Sequence, residues 1–369
     1  MKTIFINALS ARLGGGITYV VNLLNNLPSD NIKIFILCPD PSLLPNDSRV
    51  EIIDSEFANR NIFCRMFWEV FALPYMLIRL KVSVLFVPGG MDFTVFTFGI
   101  PKVTMFRNML PFDQLAIRYL PTRRLKFKNW ILKHLMTRTM SSANQVIFIS
   151  KFARELIESE VKLSKSTVIY HGISNVFKPV KSPNVNQEYL LYVSRFEPYK
   201  NHYNLIVAYS MLDESYRKRY NLVIAGEFME PHYSKCRQFI LDNRLGDYVL
   251  LKGKVSYEDL PELYQSASLF IFASSCENCP NILLEAIGCG VPVIASKTEP
   301  MPEFLKGAGL YFNEKSYQEI YDCLIYVLSQ PELMADMREK SIALRETYMW
   351  ENTASKTWEC LKEVGDENV

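Results

Sequence analysis

Two kinds of apolar pattern alternate along the chain. Short apolar runs lie at 2–7, 32–38, 82–87, 102–106 and 145–149, and again at 189–193, 221–225, 249–251, 268–273, 291–295 and 309–312. Runs of this length and purity are the mark of parallel strands buried on both faces. Shorter strand signals stand at 51–53 and 168–170. Between the runs, apolar residues recur three or four apart, as at 17, 20, 21, 23, 24 and 27. That is helical spacing. It predicts helices over 17–27, 62–80 with a break at Pro74, 150–157 with Ser150 as N-cap, 205–212, 233–243, 260–266, 282–287, 316–328, 331–347 and 350–364.

The alternation of strand and helix stops once. Residues 178–187 are poor in apolar side chains and carry Pro179 and Pro183, the composition of a linker. The alternation then restarts. The expected fold class is α/β, with two Rossmann-like doubly wound domains facing each other across a ligand-holding cleft. Residues 1–178 and 188–348 are expected to form the two domains, followed by a last helical segment over 349–369.

Bulk composition narrows the function. A chain of 369 residues is too long for one ordinary core, and 49% hydrophobic content suffices for two. A formal charge of +2 argues against a surface built for nucleic acid. The first ten residues read as a strand rather than a leader. Residues 63–80 come nearest to a spanning segment, but Arg65, Glu69 and Arg79 interrupt them. The eight cysteines are then expected as reduced thiols in the cytoplasm. Cys276 and Cys279 form a CxxC with no second pair at zinc-ligand spacing, so packing of a tight loop is favoured over metal or redox use. The 118–138 stretch holds seven Arg or Lys, no acid, and Phe127, Trp130 and Ile131 among them. It reads either as a membrane-surface element or as a surface helix docked on its sheet.

The candidate chemistry falls where strands end, which is where open α/β sheets hold ligands. In the second half, Arg195 and Lys200 follow one strand at a spacing suited to a compact anion such as a diphosphate. Gly253, Lys254 and Val255 follow another. Glu277 lies in the loop after 268–273, and Glu285 lies in the apolar helix beyond it. A carboxylate there needs a partner; ribose or sugar hydroxyls would serve. In the first half, Gly14, Gly15 and Gly16 lead from a strand into a helix N-terminus, a turn that permits close approach of an anion. Arg107 and Asn108 follow the strand at 102–106. His171 and Glu227 also follow strands, His171 reading as packing and Glu227 as either a contact or plain loop.

The segment ENCPNILLE, with Glu277 and Glu285, resembles the Glu-x7-Glu motif of the retaining family 4 glycosyltransferases, group 1 enzymes of bacterial polysaccharide synthesis. AIGCGVPVIAS, VSRFEPYKN, GGGITYVVNLL and VIYHGISNVFKP are similar to that family's other conserved-order segments, so the resemblance covers nearly the whole chain. It implies the type B fold of two Rossmann-like domains, with the final helix crossing back onto the first, acceptor-binding domain. It implies Arg195, Lys200 and Glu277 as the catalytic set, the first two on the donor diphosphate and Glu277 on the transferred sugar. The donor contacts implied are Gly15, Gly16, Asn108, Gly226, Lys254, Val255, Asn278, Pro280, Asn281 and Ile282, with Glu285 on the ribose. Many relatives carry a His where this chain has Arg107-Asn108. Asn108 can bind a sugar hydroxyl but is no acid or base, which leaves the donor sugar open.

The expected function is therefore retaining transfer of a hexosyl unit from a nucleotide-diphosphate sugar to a glycan, a lipid-linked O-antigen, capsule or lipopolysaccharide intermediate. No cofactor is expected, and no metal, since no Asp-x-Asp occurs in the chain. The partners expected are the nucleotide sugar, the acceptor and a membrane contact through 118–138 at the inner face of the cytoplasmic membrane, with no nucleic acid. The alternatives are a nucleotide-sugar epimerase on the same fold and a non-catalytic nucleotide-sugar-binding protein. A dinucleotide dehydrogenase is disfavoured because no GxGxxG follows a strand.

Overall fold

The apolar runs pair, in a computed structural model describing residues 2–11, 15–54, 56–180 and 187–367, into two wholly parallel sheets. The first holds β1 (Lys2–Asn7), β2 (Ile32–Leu37), β3 (Val50–Ile52), β4 (Val84–Val87), β5 (Lys102–Phe106), β6 (Gln145–Phe148) and β7 (Ser166–Val168) in the order β3-β2-β1-β4-β5-β6-β7. The second holds β8 (Tyr189–Val193), β9 (Asn221–Ala225), β10 (Val249–Gly253), β11 (Leu269–Phe272), β12 (Val293–Ser296) and β13 (Leu310–Phe312) in the order β10-β9-β8-β11-β12-β13. Each central strand is buried along its length, as in VLFV of β4 and LFIF of β11. Both are doubly wound, Rossmann-like sheets.

The winding reverses beside β1 in the first sheet and beside β8 in the second. There, neighbouring strands send their connections to opposite faces and leave a crevice at the carboxyl ends. The loops that open into those two crevices follow β1 and β4, and β8 and β11. The last pair carries Lys200 and Glu277.

One compact unit comprises Met1–Phe112, Arg124–Gly172 and Trp350–Val369; the other comprises Asp113–Arg123 and Ile173–Met349. The change of unit falls before the 178–187 stretch because Ile173 and Phe177 are core residues of the second unit. Phe177 stacks edge-on to Tyr264, with ring centroids 5.8 Å apart. Of that stretch, 181–186 lie outside the described residues.

The final helix, Trp350–Asp366, packs in the first unit. The indole of Trp358 is 1% exposed and donates to the carbonyl of Asn26 at 2.9 Å. Thr357 shares a hydrogen bond of 2.7 Å with the hydroxyl of Tyr19, and the Thr353 hydroxyl donates to Tyr170 O.

The expected helix over 62–80 departs from a simple break at Pro74. It runs as Ile62–Phe67, a π turn Trp68–Ala72, then Leu73–Arg79. A proline lacks the N–H for the usual bond four residues back, and its ring crowds that carbonyl. The wider turn just upstream accommodates both, with Leu73 N donating to Trp68 O. Arg65 and Glu69, which look like interruptions of an apolar run, are buried as an ion pair of 2.9 Å. Glu69 also accepts from the side-chain amide of Asn7 and from Phe93 N, and Arg65 donates to Met91 O.

Replacing Trp358 with Ala should lower stability by about 3–5 kcal/mol, the cost of emptying a fully buried aromatic site. Urea unfolding would measure it; an unchanged midpoint would show that the last helix does not hold the first unit together.

Candidate functional site

The second unit's site begins with the two loops beside β8 and β11. The Lys200 carbonyl accepts from the Tyr192 hydroxyl at 2.7 Å, which anchors the short turn Pro198–Lys200 onto β8. Asn201 follows with φ of 53°, a left-handed backbone that Asn tolerates. Its side-chain amide donates to Ala273 O at 2.8 Å, and Ser275 N donates back to Tyr199 O at 2.9 Å. These bonds place Lys200 Nζ directly on Glu277 Oε1, an ion pair whose side chains are 12% and 14% exposed. Beneath the loop, His202 is fully buried and lies flat on Phe196, with ring centroids 4.1 Å apart. Burial, then the neighbouring His232, hold its imidazole well below the usual histidine range, so it packs as a neutral ring.

The loops after β8, β9 and β10 enclose a cavity of about 270 Å³. Six of the sequence-predicted residues line it: Arg195, Gly226, Lys254, Val255, Ile282 and Glu285. Arg195 is held over it by Glu227 at 3.1 Å and, more distantly, Glu197 at 3.9 Å. Both partners belong to its own unit. Gly226 has φ of 153°, and a Cβ added there would sit 1.9 Å from Ser194 O. Only glycine lets the ends of β8 and β9 approach this closely. A larger depression shares Lys254 and Val255 but is lined otherwise by residues such as Lys252 and Glu262, without Arg195 or Glu285.

Glu285 projects from the helix Asn281–Gly288, whose other side chains are mostly buried. Burial pushes its carboxyl up to about 7, and the Tyr264 hydroxyl, donating to Oε2 at 3.0 Å, opposes that rise. Asn278 and Pro280 form the turn between Glu277 and this helix, and Asn281 opens the helix; none of the three lines the cavity. Pro280 O accepts from Leu283 N and Leu284 N, and Asn278 is buried. Cys276 and Cys279 are not joined in a disulfide, and burial pushes the Cys276 thiol well above the usual thiol range. Among the described residues, no group of three His, Cys, Asp or Glu is placed to hold a metal ion.

In the first unit, Gly15 and Gly16 open the helix Gly15–Asn25; Gly14 lies outside the described residues. A Cβ on Gly16 would approach the Ala11 backbone to 3.0 Å. The Arg107 guanidinium donates to Gly15 O and lies 5.3 Å from the Tyr19 ring. Asn108 is exposed, and its Oδ1 accepts from Leu110 N at 3.2 Å. His171 is buried among rings, 5.5 Å from Tyr19 and 6.1 Å from Trp350.

Sequence reasoning missed Tyr264, His202 and the Arg107 bond to the glycine loop. Tyr264 lies 21 residues from Glu285 with no local signal linking them. The neutral stack of His202 on Phe196 needs the fold to be seen.

An α/β chain with two Rossmann-like units, and with cations and carboxylates gathered at the switch point of the second, has the architecture of type B glycosyltransferases. The chain belongs to the group 1 glycosyltransferases: residues 175–343 match Glycosyl transferases group 1, and residues 13–175 match Glycosyltransferase Family 4. It is 30% identical over 171 residues to the O-antigen chain mannosyltransferase B of Escherichia coli, a match covering 46% of this chain and 45% of that protein. The alignment thus spans less than half of that relative's length. Sucrose-phosphate synthase from Thermosynechococcus elongatus superposes with a TM-score of 0.77 at 16% identity, over 99% of both chains. Anabaena Alr3699/HepE, solved with UDP and glucose, gives 0.72 at 17% identity over 98% of this chain and 100% of its own. At such identities these two likenesses show the fold.

Because Glu285 binds its proton more tightly when folded, its contribution to stability is fully present below the ordinary carboxylate range and is lost as pH rises through about 7. At roughly 1.4 kcal/mol per pK unit, the loss is on the order of 3 kcal/mol. The variant Glu285→Gln should lack it. Urea unfolding of both proteins at pH 5 and pH 8 reads the difference; parallel pH dependence would remove the assignment.

Proposed function

We propose that this protein transfers a sugar, with retention of anomeric configuration, from a nucleotide-diphosphate sugar to a glycan, a lipid-linked intermediate of O-antigen, capsule or lipopolysaccharide. The observation that carries this reading is the cavity where Arg195, Lys254 and Glu285 converge at the carboxyl ends of β8, β9 and β10. Cations beside a carboxylate match a diphosphate beside a ribose. Arg195 and Lys200 hold the diphosphate. Glu285, ionised when the nucleotide is bound, accepts the ribose hydroxyls. Glu277 accepts hydroxyls of the transferred sugar. In this reading Lys200 exchanges its ion pair with Glu277 for the phosphate oxygens, and the sugar hydroxyls become the new partners of the released carboxylate.

As the bond from the sugar to the diphosphate breaks, negative charge grows on the leaving oxygen. Arg195 and Lys200, once on the phosphates, stabilise that charge. The leaving diphosphate takes the proton of the acceptor hydroxyl on the same face, so no protein base is required. Mannose is the first donor sugar to test, because the matched Escherichia coli relative is an O-antigen chain mannosyltransferase. The basic stretch 118–138 supports contact with an anionic membrane that presents the acceptor. Its long helix, Arg123–Ser141, leaves Phe127 and Trp130 exposed.

A panel of UDP-, GDP- and other nucleotide sugars should contain one that raises the melting temperature and releases its nucleotide when a lipid-linked acceptor is supplied. With that donor, Arg195→Ala and Lys200→Ala should each lower kcat by roughly 10²–10³ while circular dichroism stays unchanged. No nucleotide release from any donor would end the reading. Activity should also persist in excess chelator. Loss that Mg²⁺ or Mn²⁺ restores would overturn metal independence.

A further inference from the structure

A second surface of the first unit stands apart from the sugar chemistry. On the broken helix 62–79, Phe63, Phe67, Phe71 and Tyr75 are 56–73% exposed. They recur every four residues. In a plain α-helix such a spacing drifts around the axis, since a turn takes 3.6 residues. The π turn Trp68–Ala72 takes up extra residues at mid-length and holds the stripe to one side. The opposite side, with Trp68, Leu73 and Leu77, is packed into the core against β1 and β4 residues Phe5, Leu85 and Val87.

The loop after β4 runs beside this helix and adds to the stripe. The loop is fastened near Phe93, whose N–H donates to Glu69 and whose ring lies 5.6 Å from the Arg65 guanidinium. It is fastened again at Ile100, which packs against the same core cluster as Leu73 and Leu77. Between those points Phe96 and Phe98 are 60% and 65% exposed and stacked, 6.4 Å between centroids. Asp92, in a buried ion pair with Lys102, ties the base of the loop to the 123–141 helix through Thr139. Exposed aromatic side chains are thus presented on a rigid frame, where little ordering is needed before they bind.

Large exposed aromatic side chains gathered on tied elements of one unit mark an interaction site. The sequence of the same unit says with what: residues 124–154 contain no Asp or Glu, and Arg124 and Lys128 are exposed on the helix tied to the loop. Exposed aromatic rings, with exposed cations on the helix tied to them, suit an anionic bilayer, with rings at the headgroup boundary and cations on the lipid phosphates. We propose that the 62–79 helix and the 93–98 loop form a membrane-docking face that inserts its aromatic side chains into an anionic lipid surface, beside the basic helix. The proposal deepens the lipid-linked acceptor reading and rests on it for its purpose, but its test requires no catalysis.

The test is co-sedimentation of the full chain with phosphatidylglycerol/phosphatidylcholine vesicles and with phosphatidylcholine alone. Wild type should partition onto the anionic vesicles and lose most of that binding in high salt. The double variant Phe67→Ser/Phe71→Ser, and separately Phe96→Ser, should bind at least roughly tenfold more weakly, as rings are lost from the acyl boundary. Tyr326→Ser, an exposed aromatic of the second unit, should bind as wild type does. All these positions are exposed, and unchanged melting curves would confirm intact folds. Equal binding by wild type and the stripe variants, or no binding by wild type, overturns the proposal. So does a concentration-dependent dimer that the stripe variants abolish without any vesicle binding. A chain that docks but transfers no sugar leaves this face standing and removes the proposed function. A chain that transfers sugar while its stripe variants dock normally does the reverse.

Discussion

Asn201 turns left-handed between the turn that holds Lys200 and the helix that follows, and its amide reaches the carbonyl of Ala273. With Ser275 N on Tyr199 O, this joins the loops of β8 and β11, which the winding of the sheet would otherwise send apart. The Lys200–Glu277 ion pair depends on that join. At 12–14% exposure it is far from an ordinary surface pair, which contributes about 0–1 kcal/mol. Removing either partner leaves a largely desolvated charge behind, a costly state. Site and stability are therefore not separable at these residues, and a variant there must be judged on both.

The first unit solves the corresponding problem with different materials. The start of its first helix is held by the Arg107 guanidinium, which donates to Gly15 O and faces the Tyr19 ring. Tyr19 is in turn fixed by Thr357 and the ring of Trp350. The helix Trp350–Asp366 thus buttresses the helix Gly15–Asn25, its Thr357 lying 338 residues beyond Tyr19.

Much of this was legible in the sequence because buried parallel strands leave an unambiguous trace. The runs at 102–106, 189–193 and 221–225 coincide with β5, β8 and β9. Ser150 caps its helix through Ala153 N, as its place before the apolar spacing suggests. Helix ends elsewhere shift by one to three residues, since caps such as Pro231 and Asn201 carry no side-chain hydrogen bond to mark them. The short helices Glu214–Arg219 and Met301–Leu305 escaped notice: the first is polar all round, and neither is long enough to show a period. The cavity was legible residue by residue, because strand ends can be read locally. The partners of those residues were not. Tyr264 on Glu285, and Asn7 on Glu69, are contacts between separate segments, visible only once the chain has closed.

Gly226 lines the cavity, yet its side-chain space is already taken by the carbonyl of Ser194. Every other amino acid is barred there by backbone alone, whatever ligand the cavity accepts. Constancy at this position across descendants or laboratory libraries would therefore carry no information about substrate. Diversification aimed at changing specificity is better spent on Ile282 or Val255, whose side chains, unlike a hydrogen atom, have somewhere else to go.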